Sequence, residues 1–94
     1  MVGIVEIPAV ESFNVYPIPN NGLFTASIRN PLDLDYTIKV YDQLGGTIFE
    51  LPDVKTTGGK FDTQIDLRPA SRGIYYVVFI NGRNKVIRRT FVNE

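Results

Sequence analysis

Short apolar and aromatic runs recur along the chain, separated by clusters of Gly, Pro, Asn and Asp. No stretch of useful length repeats its apolar residues at the helical period. Alternation with a period of two predicts strands instead. A first strand, "FNVY" (13–16), stops at Pro17, whose ring removes a ladder donor. A second, "LFTASI" (23–28), places Phe24, Ala26 and Ile28 on one face. After a turn at 30–33, "YTIKVYD" (36–42) turns Tyr36, Ile38 and Val40 one way and Thr37, Lys39 and Tyr41 the other. "QLGG" (43–46) turns into a strand over 47–51, and the Gly- and Thr-rich segment 52–60 reads as a loop. "KFDTQIDL" (60–67) alternates cleanly, with Phe61, Thr63, Ile65 and Leu67 inward and Lys60, Asp62, Gln64 and Asp66 outward. A corner at 68–73 leads into "IYYVVFI" (74–80), then Asn81-Gly82, a strong hairpin signal, then "KVIRRTFV" (85–92). This pattern predicts an all-β fold, an immunoglobulin-like antiparallel β-sandwich of about seven strands, with a small barrel as the rival.

The last hairpin is apolar on both sides. Pairing its strands places Ile74, Tyr76, Val78, Ile80, Ile87 and Phe91 on one face, together with Lys85 and Arg89. Tyr75, Val77, Phe79, Val86 and Val92 share the other face with Arg88 and Thr90. A two-sheet sandwich buries only one face of each sheet. One apolar and basic face is therefore either a partner surface or is covered by a loop or by the N-terminal segment.

The 94 residues suffice for one domain, placed at 13–94, with 1–12 as a linker or added segment. Cysteine is absent, so there is no disulfide framework. The start, "MVGIVEIPAVES", lacks a basic region, and Glu6 and Pro8 interrupt its apolar run, so it is not read as a signal peptide. No apolar run approaches the length of a membrane span. Charge is zero overall but uneven: residues 1–67 hold four Lys/Arg against nine Asp/Glu, while 68–94 hold six against one. A basic end suits anionic partners, and Lys85, Arg88 and Arg89 would also keep an edge strand from aggregating.

Catalytic chemistry has little to work with. Without histidine or cysteine there is no Ser-His-Asp triad, no Cys-His dyad and no ordinary zinc site. Ser12, Ser27 and Ser71 have no visible base. Asp62 and Asp66 fall on a solvent face, and Asp33, Asp35 and Asp42 flank turns. "DLD" (33–35) and Asp42 offer oxygen ligands without calcium-loop spacing. "TTGGK" (56–60) does not join a strand to a helix, as a phosphate loop does. A net charge of zero gives too weak a field for nucleic acid. The chain is read as no enzyme, with no cofactor.

The order of its landmarks carries more. "YPIPNNG" (16–22), "VYDQLGG" (40–46), "IDLRPASRGIYYVVF" (65–79) and a basic final strand follow one another. This order resembles the C-terminal sorting domain of the type IX (Por) secretion system, type A, over about residues 13 to 92. Tyr16, Pro17, Pro19 and Gly22 match the proline-turn motif, with Ile18 where asparagine is common. Asp42 and Gly45 match the strand-turn motif, with Gly46 where a basic residue is frequent. Gly73 and Tyr75 match the segment before the penultimate strand, and Lys85, Arg88 and Arg89 the basic-apolar end. Tyr75 also stands where a tyrosine corner would bond nearby backbone.

The resemblance implies an immunoglobulin-like domain at the C-terminus of an exported cargo protein of a Gram-negative bacterium. It directs that cargo through the periplasm and an outer-membrane translocon to the surface or medium. A surface peptidase acting like a sortase then removes it, with cleavage expected before Phe13. The implied partners are the translocon, that peptidase and an N-terminal cargo domain. The fold alone also admits an adhesion or carbohydrate-binding module, or a structural spacer.

Overall fold

The computed structural model describes residues 12–31, 34–82 and 84–92. Seven strands follow one another: β1 (Ser12–Tyr16), β2 (Leu23–Arg29), β3 (Asp35–Tyr41), β4 (Thr47–Lys55), β5 (Lys60–Asp66), β6 (Gly73–Asn81) and β7 (Asn84–Val92). They form two antiparallel sheets, ordered β1-β2-β5 and β4-β3-β6-β7. The all-β immunoglobulin-like sandwich is thus what the alternation predicts. The fourth strand lies beside the third, whereas constant-type immunoglobulin domains pair it with the fifth.

The inward rows agree with the sequence pattern. Phe24, Ala26 and Ile28 from β2 and Tyr36, Ile38 and Val40 from β3 are all buried. Ile65 is buried on β5, with Phe61 and Leu67 packed against the core from half-buried positions. On β6, Tyr75, Val77 and Phe79 face inward, joined by Val86 and Val92 of β7. Phe79 lies at the centre. Its ring meets Phe13 of the facing sheet edge-on at 4.7 Å and Tyr36 at 5.6 Å. Burial raises the pKa of the Tyr36 hydroxyl, and the bond it accepts from the Asn30 side chain, at 3.0 Å, offsets part of that rise.

One expectation fails. Residues 52–55 lie in β4, not in a loop over 52–60. Proline and aspartate normally punctuate strands, but β4 is an edge strand and needs no outward ladder there. Leu51 pairs with Ile38 and Val54 with Tyr36, so Pro52 and Asp53 are accommodated in a bulge opposite Thr37. Asp53 takes the left-handed conformation that the bulge requires, with φ of 59°.

Candidate recognition surface

Both proline bonds of "YPIPNNG", Tyr16-Pro17 and Ile18-Pro19, are cis. The segment is a bend and not the stiffened extended piece that its prolines suggest. Asn20 organises it. This buried side chain donates to the Pro17 carbonyl at 2.9 Å and to Thr90 Oγ1 at 2.7 Å, and it accepts from the Gly22 amide at 2.8 Å. Its own amide donates to the Phe91 carbonyl at 3.0 Å. The turn is therefore fastened to β7, in the other sheet. Gly22 has φ of +103°, and a Cβ there would sit 3.1 Å from Arg68 Cγ, so the position demands glycine. Its carbonyl accepts the Leu67 amide at 2.7 Å, which brings the 66–73 corner against the turn.

The turn after β3 is held by one carboxylate. Asp42 Oδ1 accepts the amides of Leu44 at 3.0 Å and Gly46 at 2.8 Å. A Cβ on Gly46 would approach that carboxylate to 3.2 Å, which gives a physical reason for glycine where a basic residue is frequent. Gly45 completes the turn with φ of +89°. Leu44 projects from it 96% exposed. Gln43 leans toward Gly73, where an added Cβ would lie 2.9 Å from its Nε2.

At the corner, Asp66 accepts a two-pronged contact from Arg68, Oδ1 from Nε at 2.9 Å and Oδ2 from Nη2 at 3.0 Å. Oδ1 also accepts the Arg68 amide. These bonds hold the carboxyl pKa down from 3.8 to about 2. A depressed folded value means the pair stabilises the domain above the unfolded pKa, and this contribution is lost as pH falls through the folded one. Thermal midpoints measured from pH 5 to pH 2 should fall more steeply for the parent than for Asp66→Asn, and the difference should shrink in high salt because the pair is exposed. Tyr75 closes the corner as its position predicts, its hydroxyl donating to the Ser71 carbonyl at 2.6 Å. Tyr75→Phe should cost about 1 kcal/mol, the loss of one such bond, measured by denaturant unfolding.

The three basic residues of the last strand divide. Arg88 caps the opening between the sheets: Nε donates to the Phe13 carbonyl at 3.0 Å, and the guanidinium lies 5.3 Å from the centroid of the Phe13 ring. Arg89 and Lys85 lie on the outer face, opposite Tyr76 and Ile80. Arg89 lines a groove of about 340 Å³ with Ile18, Ile74, Thr90 and Phe91, while Lys85 stands at the hairpin end. Among the described residues no cluster of three or more carboxylates is placed to hold a metal ion.

The structure thus gathers Tyr16, Pro17, Pro19, Gly22, Asp42, Gly45, Gly73, Tyr75 and Arg89 at one end of the sandwich, where the Asn20 bonds cross between the sheets. It sets Arg88 to a fastening role, and Lys85 meets this end only along a groove that it shares with Asp42 and Gly45. Two residues central to this end, Asn20 and Thr90, carry no weight in the motif reading. Both had signals: Asn20 is an asparagine placed to bond its own backbone two residues on, and Thr90 is a hydroxyl in an inward row that must find a partner. No curated protein matches the chain. The sequence profile of the secretion-system C-terminal sorting domain matches residues 14–93, spanning all of these segments, and the chain belongs to that family, the C-terminal sorting domains of type IX secretion.

Proposed function

We propose that this domain carries a cargo protein through the type IX outer-membrane translocon, is read at the end where its motifs converge, and is then cut away before Phe13 by a surface sortase-like peptidase. Membership of the family supports a C-terminal type IX secretion signal on a secreted or cell-surface protein, with the cargo preceding it. The domain then acts as an address and a substrate and performs no chemistry of its own.

The convergence itself carries this reading. Ile18, 54% exposed, and Leu44 both stand free of the core, one on a turn pinned by the buried Asn20 bonds and the other on a turn held by two amides on one Asp42 oxygen. Apolar groups presented on rigid turns lose little conformational entropy when a partner covers them, which suits them as binding anchors. Between them lies a second groove, of about 210 Å³, lined by Asp42, Gln43, Leu44, Ser71, Ile74 and Tyr75.

The test is a fusion of residues 13–94 to a periplasmic reporter in a host with this machinery, alongside a Leu44→Asp version. The parent fusion should reach the surface or medium and the substituted one should accumulate in the periplasm. A parent fusion retained in the periplasm overturns transport, and equal export of the two overturns reading at the Leu44 turn. For removal, residues 1–94 are fused in the same way and the released reporter is weighed by mass spectrometry. Its new end should lie within residues 1–12, and a cut elsewhere or an intact tail overturns that step.

A further inference from the structure

The outer face of the four-stranded sheet has a chemistry of its own. Three cross-strand rows run over β3, β6 and β7: Thr37–Ile80–Lys85, Lys39–Val78–Ile87 and Tyr41–Tyr76–Arg89. Val78 is only 3% exposed yet lies outside the interior cluster, so it makes a recessed floor on this side. A groove of about 330 Å³ runs over it, near the lower end for ligand clefts. Tyr41 and Tyr76 stand directly opposite one another along it, and Asp42, Gln43 and Lys85 also line it. Neither tyrosine ring packs on another described ring, and neither phenol bonds a described residue. The Gln43 side chain and the Lys85 ammonium likewise bond no described residue. Asp42 directs one oxygen to the turn amides, while the other bonds no described residue and Gly46 puts no side chain over it.

We infer that this groove binds a neutral pyranose sugar, alone or at the end of a glycan. The chemistry of its walls selects that class. A sugar ring carries C–H groups on its faces, which suit the electron-rich faces of the two tyrosines. Its hydroxyls both donate and accept, and the groove offers both roles. The Asp42 carboxylate only accepts, the Lys85 ammonium only donates, and the Gln43 amide and the phenols do either. Asp42 and Lys85 oppose each other in charge without forming an ion pair. Of the other cations on this face, Lys39 stands opposite Glu50, and Arg89 lines the separate groove beside Ile18. The two charges of this groove therefore cancel, and a ligand with net charge gains little from it. A peptide strand is a poor occupant. Both β3 and β6 are interior strands with ladder partners on each side, so this face has no backbone groups to offer. A flat bilayer does not reach a recessed floor, and it would strip water from Asp42 and Lys85.

The test is an NMR titration of the whole isotope-labelled chain with the methyl glycosides of glucose, galactose, mannose and N-acetylglucosamine. At least one should give saturable amide shifts confined to the surroundings of Tyr41, Gln43, Tyr76 and Ile87. Tyr76→Leu should weaken that glycoside by about tenfold, the worth of a lost ring contact. Lys85→Met, which keeps the stem and removes the charge, should also weaken it by about tenfold, through the loss of a charged hydrogen bond. Lys85 is exposed, so its variant keeps the fold, and unchanged spectra of core residues check both. Silence of every glycoside overturns the inference, and so do shifts centred on the other sheet or full affinity in both variants. Sodium glucuronate or L-alanine moving the same amides at least as strongly as the best glycoside also overturns it, the first identifying a site for acidic sugars and the second a site for zwitterions. Binding here needs neither translocon nor peptidase, so its failure is distinct from a failure of export.

Discussion

Phe79→Ala is expected to destabilise the domain by about 4 kcal/mol, a large share of the roughly 5–15 kcal/mol that holds a domain of ordinary stability together. The ring is fully buried and is the common neighbour of Phe13 and Tyr36, so its loss leaves a cavity on the midline between the sheets. Neither sheet can close that gap alone, because each is held in register by its own ladder. Two edge-to-face ring contacts disappear together with the buried area, which places the cost toward the upper end for such substitutions. Denaturant unfolding should show the midpoint fall by that same share of its parent value, with little change in slope. Phe91→Ala, on the outer face and partly exposed, should cost well under half as much.

Asn20→Ala should cost about 3 kcal/mol, because a buried amide is lost and its partners remain without replacements. The Pro17 carbonyl, the Thr90 hydroxyl and the Gly22 amide all lose a bond to this one side chain. The neighbouring Asn21 makes a single exposed bond, to the Leu23 amide, so Asn21→Ala should change stability by no more than about 0.5 kcal/mol. Hydrogen exchange distinguishes local from global effects. In the Asn20 variant, protection should fall most at the Asn20 amide, whose bond to Phe91 ties the bend to β7. The export assay described above should fall with it, even at temperatures where the core stays folded.

Much of the architecture is written in the alternation. Tyr36, Ile38 and Val40 on β3, or Lys60 to Asp66 on β5, announce both strand and facing, because each strand has one wet and one dry side. The end of β4 could not be read this way. Pro52 and Asp53 carry breaker chemistry, and only the position of β4 at a sheet edge makes them tolerable, which is a property of the assembled sheet. The candidate site was legible to a similar degree. Gly22, Asp42 and Tyr75 announce themselves because their roles are local: a positive φ, a turn cap, a hydroxyl bonded four residues back. Asn20 does not, since its decisive partner is Thr90, seventy residues later in the chain. Arg88 and Arg89 look alike in sequence, yet one is fastened to Phe13 and the other faces water, because adjacent residues of a strand point in opposite directions.

The bonds from Asn20 to Thr90 and Phe91 have a consequence for the cell. Segments that lie far apart in the chain become one surface only after both sheets have closed. An unfolded tail holds every letter of the address and none of its spelling. On the proposed reading, a receptor that touches the proline bend and the Leu44 turn together would admit finished molecules and ignore nascent or damaged ones. Inspection for correct folding would then be part of the act of delivery, with no separate inspector required.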